Sequence, residues 1–400
     1  MRRLALTQRA AAGAPLARDV AGRAGEVLAR AGHVLSDRVI DALQRHGVTT
    51  VYAEDVASAG ITLTSITPEP VMTSLQGLLE EFTARLQKAA EPLLNQPTSK
   101  VIEALRMNAS TVNTIRVSAV LSELRAGAAT LARTCAQASG DSGYLTDRGP
   151  DDDIVGHSIH VAALTARIGA AVGFADDDLA GATYAALLHD VGLIFVPAEI
   201  RASPERWSVP QRLRFEDHTV LGEALLAAVV RGGALPAVVA AEHHEAQDGS
   251  GFPRGRRGGN RMLRGAEKQR SADQVALVSE VVAVADRYER LVSPAPARAG
   301  FPPAEARYAL SSEVSTKLNA EVVARFMETF PALPLGTEVR IVGGEYDGSH
   351  GIVARLSATG QPRPLVRVYA DRSGHTHTPV DLDLTRVRDV NVLLDEGRAA

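Results

Sequence analysis

The sequence is short of cysteine, of long apolar runs and of net charge, and each shortage excludes a class of protein. Cys135 is the only cysteine among 400 residues, which excludes an internal disulfide and a cysteine-rich zinc site. No apolar run approaches the roughly 18 residues that a membrane-spanning helix requires. The formal net charge of −4 argues against a general nucleic-acid-binding protein, because such a protein normally carries a strongly basic face.

These shortages also bear on where the protein works. Arg2 and Arg3 resemble the charged start of a secretory signal peptide, but Arg9 and Arg18 interrupt the apolar stretch that such a peptide needs. A reducing, cytoplasmic compartment is the simplest expectation. We therefore expect soluble ligands or a signalling partner protein, and no membrane or nucleic acid as a partner.

The chain is long enough for two or three domains. Its apolar fraction of 45% and charged fraction of 22% are ordinary for a globular protein. Helical periodicity dominates the middle of the chain, so the expected fold is mainly α. The predicted parts are a small N-terminal α+β module at 1–75, a helical connector at 76–149, an all-helical domain at 150–333, and a small β-rich C-terminal module at 335–395.

Both terminal modules are predicted from short patterns. Asp37 to His46 has helical periodicity, and Val48 to Ala53 then has the composition of a strand. Near the other end, Glu338 to Val342 and Leu365 to Tyr369 alternate polar and apolar residues between glycine turns. Alternation with a period of two predicts strands with one buried face.

The connector is predicted from apolar residues at helical spacing, and it contains no catalytic motif. Residues 76–139 are equally compatible with a homodimer interface and with packing inside the chain. The residues that define the apolar face are Leu75, Leu78, Leu79 and Phe82.

Histidine is concentrated in one part of the chain. Six of the 11 histidines lie between positions 157 and 244. Imidazole and carboxylate together suit borderline divalent metals, so the clustering indicates a metal centre of the hydrolytic type. The candidate ligands are His157, His189, Asp190, His218, His243, His244 and Asp286.

The adjacent pair His189-Asp190 is the strongest local signal. It ends an apolar helix just before Gly192. Neighbouring helical residues point about 100° apart, so both can reach metal only if the helix end lines the site. Asp190 could then bridge two ions while His189 binds one. Taken singly, each histidine also suits an ordinary role, and His218 alone is typical of a surface residue.

Two further features remain open at this level. Asp153 precedes His157 by one helical turn and can share its face as a ligand, or it can simply favour the helix N-terminus. A Gly/Arg-rich interval, Gly249 to Gly265, is predicted to be an exposed loop. Its arginines are either a solvated face or a contact for an anionic ligand. They are Arg254, Arg256, Arg257, Arg261 and Arg264.

The order and spacing of these residues resemble the HD-GYP family, a branch of the HD-superfamily metal-dependent phosphohydrolases. The resemblance covers about residues 150–330, where Asp248-Gly249-Ser250-Gly251-Phe252-Pro253 stands at the family's Gly-Tyr-Pro loop. It implies an all-helical catalytic domain with two or three divalent metal ions, iron or manganese, that hydrolyses cyclic di-GMP to pGpG or GMP. By position it makes the seven residues metal ligands, with Asp190 bridging and with His189 and Asp190 as the catalytic pair. Asp153 stands where members with a third metal have a glutamate.

The chain departs from this family at cationic positions. Leu193 ends the His-Asp-x-Gly-Lys motif, where the family's lysine contacts the scissile phosphate. Glu289-Arg290-Leu291 replaces Asp-Ala-Leu, and Ala295-Pro296-Ala297 replaces Arg-Pro-Tyr. The resemblance therefore implies a complete ligand set with fewer phosphate contacts.

Other residues could restore part of the lost charge. Arg298 lies where a second basic residue is often found, and Arg254 and Arg287 are the other candidate substrate-binding residues. Arg290 is a further source of charge. Phe252 lacks the hydroxyl of the family's tyrosine, although its ring can still pack.

Three functions follow from the sequence. The first is a metal-dependent phosphodiesterase for cyclic di-GMP, with reduced activity. The second is a non-catalytic signalling module that binds nucleotide or a partner through the metal-loaded fold, which Leu193 and Ala295 favour. The third is an HD-type phosphohydrolase for another nucleotide phosphoester.

Overall fold

The fold is described here from a computed structural model of the 400-residue chain. Within its described ranges, no helix combines the length and the apolar character needed to cross a membrane. The structure describes residues 2–6, 13–21, 27–46, 48, 50–62, 66, 69–94, 96–107, 119–137, 154–201, 207–230, 234–262, 273–293, 300–357 and 363–395.

The chain divides into two compact units. The terminal unit comprises residues 1–65, 139–151 and 330–400, and the helical unit comprises residues 66–138 and 152–329. The mainly α fold with a small C-terminal sheet, predicted from the sequence, is confirmed. The four-part division of the sequence into modules remains a prediction.

The N-terminal part of the terminal unit is a small α+β arrangement. Helix α1 (Asp37–Arg45) begins where Ser36 accepts a hydrogen bond from the Val39 backbone N–H, which satisfies one of the free donors of the first turn. Its Ile40 and Leu43 are buried. The strands pair antiparallel as β1 (Arg2–Ala5) with β4 (Thr50–Ala53) and β2 (Val20–Ala21) with β3 (Val27–Ala29).

The C-terminal part of this unit is an antiparallel sheet in the order β8-β7-β6-β5-β9. Alternation along β5 buries Val339 and Ile341, as the sequence pattern predicts. Ile61 belongs to the same apolar core, and Arg367 donates a hydrogen bond to the Ala59 carbonyl oxygen (2.5 Å). Residues from both ends of the chain therefore share one core. The strands are β5 (Glu338–Val342), β6 (His350–Arg355), β7 (Leu365–Ala370), β8 (Thr376–Asp383) and β9 (Asn391–Leu394).

The described part of the helical unit is made of α-helices and two short 3-10 helices, Glu91–Leu93 and Val191–Phe195. Its α-helices are α2 (Glu69–Ala90), α3 (Thr98–Met107), α4 (Val120–Gln137), α5 (Ile154–Val172), α6 (Asp176–Leu187), α7 (Ala198–Arg201), α8 (Val209–Glu216), α9 (His218–Val229), α10 (Ala234–Glu242), α11 (Leu277–Val292), α12 (Pro303–Ser312) and α13 (Ala320–Thr329).

Helix α5 lies at the centre of this unit. It is buried around most of its circumference, which is typical of a helix that is apolar on every side. It packs against α4, α6, α11 and α13. His157, in its first turns, is therefore held by a helix that is packed on several sides.

The apolar face predicted for the connector packs inside the helical unit. Leu75, Leu79 and Phe82 of α2 are buried, and α2 packs against α4 and α5. A homodimer interface within residues 76–139 remains a prediction.

Candidate metal centre

The seven candidate ligands converge in the helical unit as two groups of four that share Asp190. Within each group, one ligand atom per residue lies within 4.8 Å of the others. We name them the first quartet (His157, His189, Asp190 and Asp286) and the second quartet (Asp190, His218, His243 and His244).

Asp190 presents one carboxylate oxygen to each quartet. Its Oδ2 lies 3.5 Å from His157 Nε2 and 3.4 Å from His189 Nε2. Its Oδ1 lies 3.3 Å from His218 Nε2 and 3.2 Å from His243 Nε2. In the first quartet, Asp286 Oδ1 is also 3.0 Å from His157 Nε2. A carboxylate placed in this way is suited to bridge two ions.

Most of these side chains project from the ends of helices. His189 and Asp190 lie between the end of α6 and the 3-10 helix Val191–Phe195. His218 begins α9, and the pair His243-His244 follows α10. The exceptions are His157 and Asp286, which lie within α5 and α11.

Gly192 permits the close approach that brings Asp190 towards His218. A Cβ on Gly192 would lie 1.9 Å from the His218 carbonyl oxygen and 2.7 Å from the Gly222 backbone nitrogen. No side chain fits in that space. The glycine after His189-Asp190 is therefore required because the 3-10 helix crosses α9 in backbone contact.

Backbone carbonyl groups orient three of the imidazoles. Nδ1 of His189 lies 2.7 Å from the Ala186 carbonyl oxygen, and Nδ1 of His218 lies 2.7 Å from that of Phe215. Nδ1 of His243 similarly lies 3.0 Å from the Ala240 carbonyl oxygen. A carbonyl oxygen can only accept, so each Nδ1 carries the proton and donates it. Nε2 is then the ring atom directed into the quartets, as metal binding by histidine requires.

Glu289 orients His157 in the same manner, and the sequence reasoning did not assign it this role. His157 Nδ1 lies 2.6 Å from Glu289 Oε2, and Ser293 donates a hydrogen bond to Glu289 Oε1 (2.7 Å). The Glu289 side chain is fully buried. Its position three residues after Asp286, on the same face of α11, is the signal that could have identified it.

Several atoms aimed into the quartets lack a hydrogen-bond partner. Within the described residues this applies to the buried Nε2 atoms of His157, His189 and His244 and to Asp190 Oδ1. Buried polar atoms are normally satisfied, and leaving them without a partner costs free energy. Nitrogen and carboxylate oxygen donors of this kind fit divalent transition metals, so the residues present fit the implied ions.

The protonation states differ between the quartets. Burial, together with the neighbouring histidines, lowers the pKa of His244 well below its usual value, and burial also lowers the pKa of His243. Burial alone would lower the pKa of His157 too, but Glu289 and the two aspartates raise it to about 10. The pKa of His189 is likewise about 9, since Asp190 and Asp286 outweigh its burial. A metal ion entering the first quartet would therefore release protons.

The two aspartates remain ionised. Burial would raise the pKa of Asp190, but the charge of His189 and the contacts with His157 and His218 hold this pKa well below its usual range. The pKa of Asp286 is also well below its usual range, because Arg290 and His157 outweigh the effect of burial. Both carboxylates are therefore in the form that binds cations.

The loop that corresponds to the Gly-Tyr-Pro motif packs on the second quartet. The Phe252 ring centroid lies 4.7 Å from that of His244, with the planes inclined by 30°. Glu245 holds the loop, because its two carboxylate oxygens accept hydrogen bonds from the backbone N–H groups of Arg254 and Arg256. The aromatic ring thus supports His244 without a tyrosine hydroxyl.

The described arginines proposed to contact substrate are paired with glutamates. Arg254 Nη2 lies 2.5 Å from Glu223 Oε2. Arg287 donates to both carboxylate oxygens of Glu313. Asp153, Arg298 and Ala295 lie outside the described residues.

Leu193 supplies packing at the position of the family's lysine. It is buried in a small apolar cluster with Val196 and Ile200, against which Trp207 and Phe215 pack. This position therefore contributes no positive charge to the centre.

A comparison with protein families agrees with this geometry. Residues 145–322 match the family model described as the HD domain. That span includes all seven members of the two quartets. The match confirms the resemblance inferred from the sequence.

Several curated proteins are similar to the same region. Cyclic di-GMP phosphodiesterase PA4108 of Pseudomonas aeruginosa is 27% identical over 213 residues, which are 53% of this chain and 47% of that protein. The 3'3'-cGAMP-specific phosphodiesterase 3 of Vibrio cholerae is 28% identical over 179 residues, 45% of this chain and 36% of that protein. A cyclic di-GMP phosphodiesterase of Thermotoga maritima is 30% identical over 176 residues, 43% of each chain. The matched region is less than half the length of each of these relatives.

One solved structure also aligns with the chain. It is Bd1817, described as an HDG"Y"P protein from Bdellovibrio bacteriovorus. The alignment covers 81% of this chain and 97% of that chain, with 15% sequence identity and a TM-score of 0.37.

Proposed function

Residues 145–322 match the family model described as the HD domain, and from that premise we propose that the protein is a metal-dependent phosphodiesterase that hydrolyses cyclic di-GMP to pGpG or GMP. The observation that carries the proposal is the carboxylate of Asp190, which faces a different set of histidines with each oxygen. Relatives named as cyclic di-GMP phosphodiesterases support this choice of substrate.

The two quartets would hold two divalent metal ions, for which we propose iron or manganese. Ions bound there supply Lewis-acid activation of the phosphodiester and of the attacking water. Asp190 would offer one carboxylate oxygen to each ion, and His189 would bind the ion of the first quartet beside it. We propose these two residues as the catalytic pair. Asp153 is the proposed additional ligand if a third ion binds.

Binding of the phosphate is the weaker part of the centre. Leu193 is apolar and buried, so the charge of the family's lysine is missing. Each lost cationic contact would reduce turnover by on the order of a hundredfold. We propose Arg298, Arg254 and Arg287 as substrate contacts, the last two after exchanging their present glutamate partners for phosphate. The expected enzyme is therefore slow.

The test is hydrolysis by protein of known metal content. Purified protein loaded with iron or manganese is incubated with cyclic di-GMP, and pGpG and GMP are measured by chromatography. Asp190→Asn should lose both metal ions and turnover, whereas Asp177→Asn, at an exposed position on α6, should retain both. Wild-type protein that holds two ions and releases neither product would contradict the proposal.

A second candidate is a signalling module that binds cyclic dinucleotide without hydrolysing it. The packing of Leu193 among apolar residues favours it, because a phosphate contact is absent there. It predicts calorimetric binding of cyclic di-GMP to the metal-loaded protein without release of product. Hydrolysis of the bound ligand would contradict it.

A third candidate is a phosphodiesterase for another cyclic dinucleotide. A relative named as specific for 3'3'-cGAMP favours this alternative. Parallel assays with 3'3'-cGAMP and cyclic di-GMP, at equal metal loading, separate it from the first proposal. A higher kcat/KM for 3'3'-cGAMP would replace cyclic di-GMP as the proposed substrate.

We propose the cytoplasm as the compartment, on the basis of the single cysteine and of a cyclic dinucleotide substrate. A homodimer through residues 76–139 and a signalling partner protein are further proposals. Light scattering on the purified full chain would measure the first, and a monomer at micromolar concentration would contradict it.

A further inference from the structure

Arg290 places a positive charge against two of the proposed metal ligands. It lies four residues after Asp286 on α11, so both side chains project from the same face of the helix. Its Nε donates to Asp286 Oδ1 and its Nη2 donates to Asp190 Oδ2, each at 2.8 Å. The guanidinium thus joins the two carboxylates of the first quartet.

These are the same oxygen atoms that face the histidines of that quartet. Asp190 Oδ2 lies 3.5 Å from His157 Nε2, and Asp286 Oδ1 lies 3.0 Å from the same nitrogen. A metal ion in the first quartet would need both oxygens. Arg290 therefore already binds the two carboxylate oxygens that such an ion would need as ligands.

The second quartet shows no such contact in the described part of the chain. Asp190 Oδ1, the oxygen that faces His218 and His243, accepts no hydrogen bond there. The two oxygens of one carboxylate are thus unequal, since one holds a guanidinium and the other is available. The residues of the second quartet are ready for a cation, whereas those of the first are already engaged.

The side chains also differ in their exposure. Asp190 is 1% exposed and Asp286 7%, whereas the Arg290 side chain is 38% exposed. A guanidinium and a divalent ion repel each other at close range, most strongly where water is scarce. An ion that enters the first quartet would therefore displace Arg290, which is the only partly exposed side chain of these three.

We propose that Arg290 competes with a metal ion for the first quartet, so that the second quartet fills first and more tightly. The inference rests on the metal centre of the proposed function and concerns a position at which the chain departs from the family pattern. Arg290 stands at the alanine of the Asp-Ala-Leu segment in the family that the sequence resembles. Occupancy of the first quartet is then set by competition between the Arg290 guanidinium and the metal ion.

The test is a manganese titration of metal-stripped full-length protein. Free Mn²⁺ is measured by electron paramagnetic resonance, and bound metal is measured by elemental analysis after dialysis. We expect the wild type to bind one ion tightly and a second at least about tenfold more weakly. Arg290→Ala should bind two ions with affinities within about threefold of each other. Arg290→Gln, which keeps much of the side-chain volume, should behave in the same way and guards against a folding defect.

Matched variants assign the sites. Arg212→Ala removes an exposed guanidinium on α8 that is paired with Glu216, and it should retain the wild-type pattern. His218→Ala should abolish binding of the tightly bound ion, whereas His157→Ala should abolish binding of the weakly bound ion only.

Two equal sites in the wild type, or an unchanged second affinity in both Arg290 variants, would overturn this inference while leaving the phosphodiesterase proposal intact. Absence of bound metal in every protein would overturn both. Two unequal sites without any hydrolysis would support the inference and contradict only the proposed activity.

Discussion

At the scale of single residues, the candidate centre depends on side chains that belong to neither quartet. Glu289 is the clearest case, because it lies 2.6 Å from His157 Nδ1 and is held in turn by Ser293. A carboxylate in this position fixes the orientation of the ring and makes Nε2 a better donor. Glu289 thereby orients His157 at one side of the first quartet.

Glu289→Gln tests this role. The amide can still accept a hydrogen bond but lacks the charge, so we expect manganese affinity of the first quartet to fall by about 10- to 100-fold. Affinity of the second quartet should stay within about threefold. Isothermal titration of the stripped protein measures both, and Glu305→Gln, at an exposed position on α12, is the control. An unchanged first-quartet affinity would show that Glu289 serves packing alone.

At the scale of elements, two close contacts position the ligands. The first is the crossing of the 3-10 helix Val191–Phe195 over α9, where Gly192 lies against the His218 backbone. The second joins α11 to the residues after α10 and before α13, because Glu280 accepts hydrogen bonds from Gln247 (2.7 Å) and Asn319 (2.9 Å). Each contact leads to a separate prediction.

Gly192→Ala should force the crossing elements apart. An added Cβ would meet backbone atoms, which cannot move aside as a flexible side chain can. We expect a loss of about 3 kcal/mol or more in the free energy of unfolding, and weaker metal binding at the second quartet. Gly77→Ala is the control, since a Cβ there meets nothing within 4 Å and alanine favours a helix. Chemical unfolding measures the loss. A free energy of unfolding for Gly192→Ala equal to that of the wild type would contradict the prediction.

Glu280 should make stability depend on pH. Burial raises its pKa from 4.5 to about 7, against the opposing effect of its hydrogen bonds to Gln247 and Asn319. The folded state then binds more protons than the unfolded state between these pH values, so the contribution of Glu280 is present below pH 4.5 and is lost as pH rises through 7. The free energy of unfolding of the wild type, relative to Glu280→Gln, should fall by up to about 3 kcal/mol across this window. Urea unfolding at several pH values measures it, and parallel curves for the two proteins would contradict the assignment.

At the scale of the whole molecule, metal binding should stabilise one unit selectively. All the members of the two quartets lie in the helical unit. A ligand that binds only the folded state, present at a concentration of about 100 times its Kd, makes global unfolding roughly 100-fold rarer. Hydrogen exchange that requires global unfolding then slows by the same factor. Hydrogen exchange of the full chain should therefore show added protection in α5, α6, α9 and α10 with manganese, and little change in β5 to β9. Equal protection in the sheet would show that the two units unfold together.

Much of this organisation follows from local patterns in the sequence. The helix from Asp37 and the strand from Glu338 appear as predicted, because capping and alternation are local properties. The seven candidate ligands could be named because histidine and aspartate clusters at these spacings have few other uses. Helical spacing places Glu289 and Arg290 on the same face of α11 as Asp286, but their contacts with His157 and Asp190 could not be predicted, since these depend on where α11 lies relative to α5 and α6.

The sequence alone therefore determined the identity of the candidate ligands, the mainly helical class and the loss of a lysine at Leu193. Only the tertiary structure decided how the ligands divide into two quartets around Asp190 and which of its oxygens Arg290 holds. The physical reason is that residue chemistry and helical periodicity are encoded over a few positions in the sequence. Which oxygen a charged side chain contacts depends instead on how the helices pack. Asp190 and Arg290 are 100 residues apart in the chain and 2.8 Å apart in the fold.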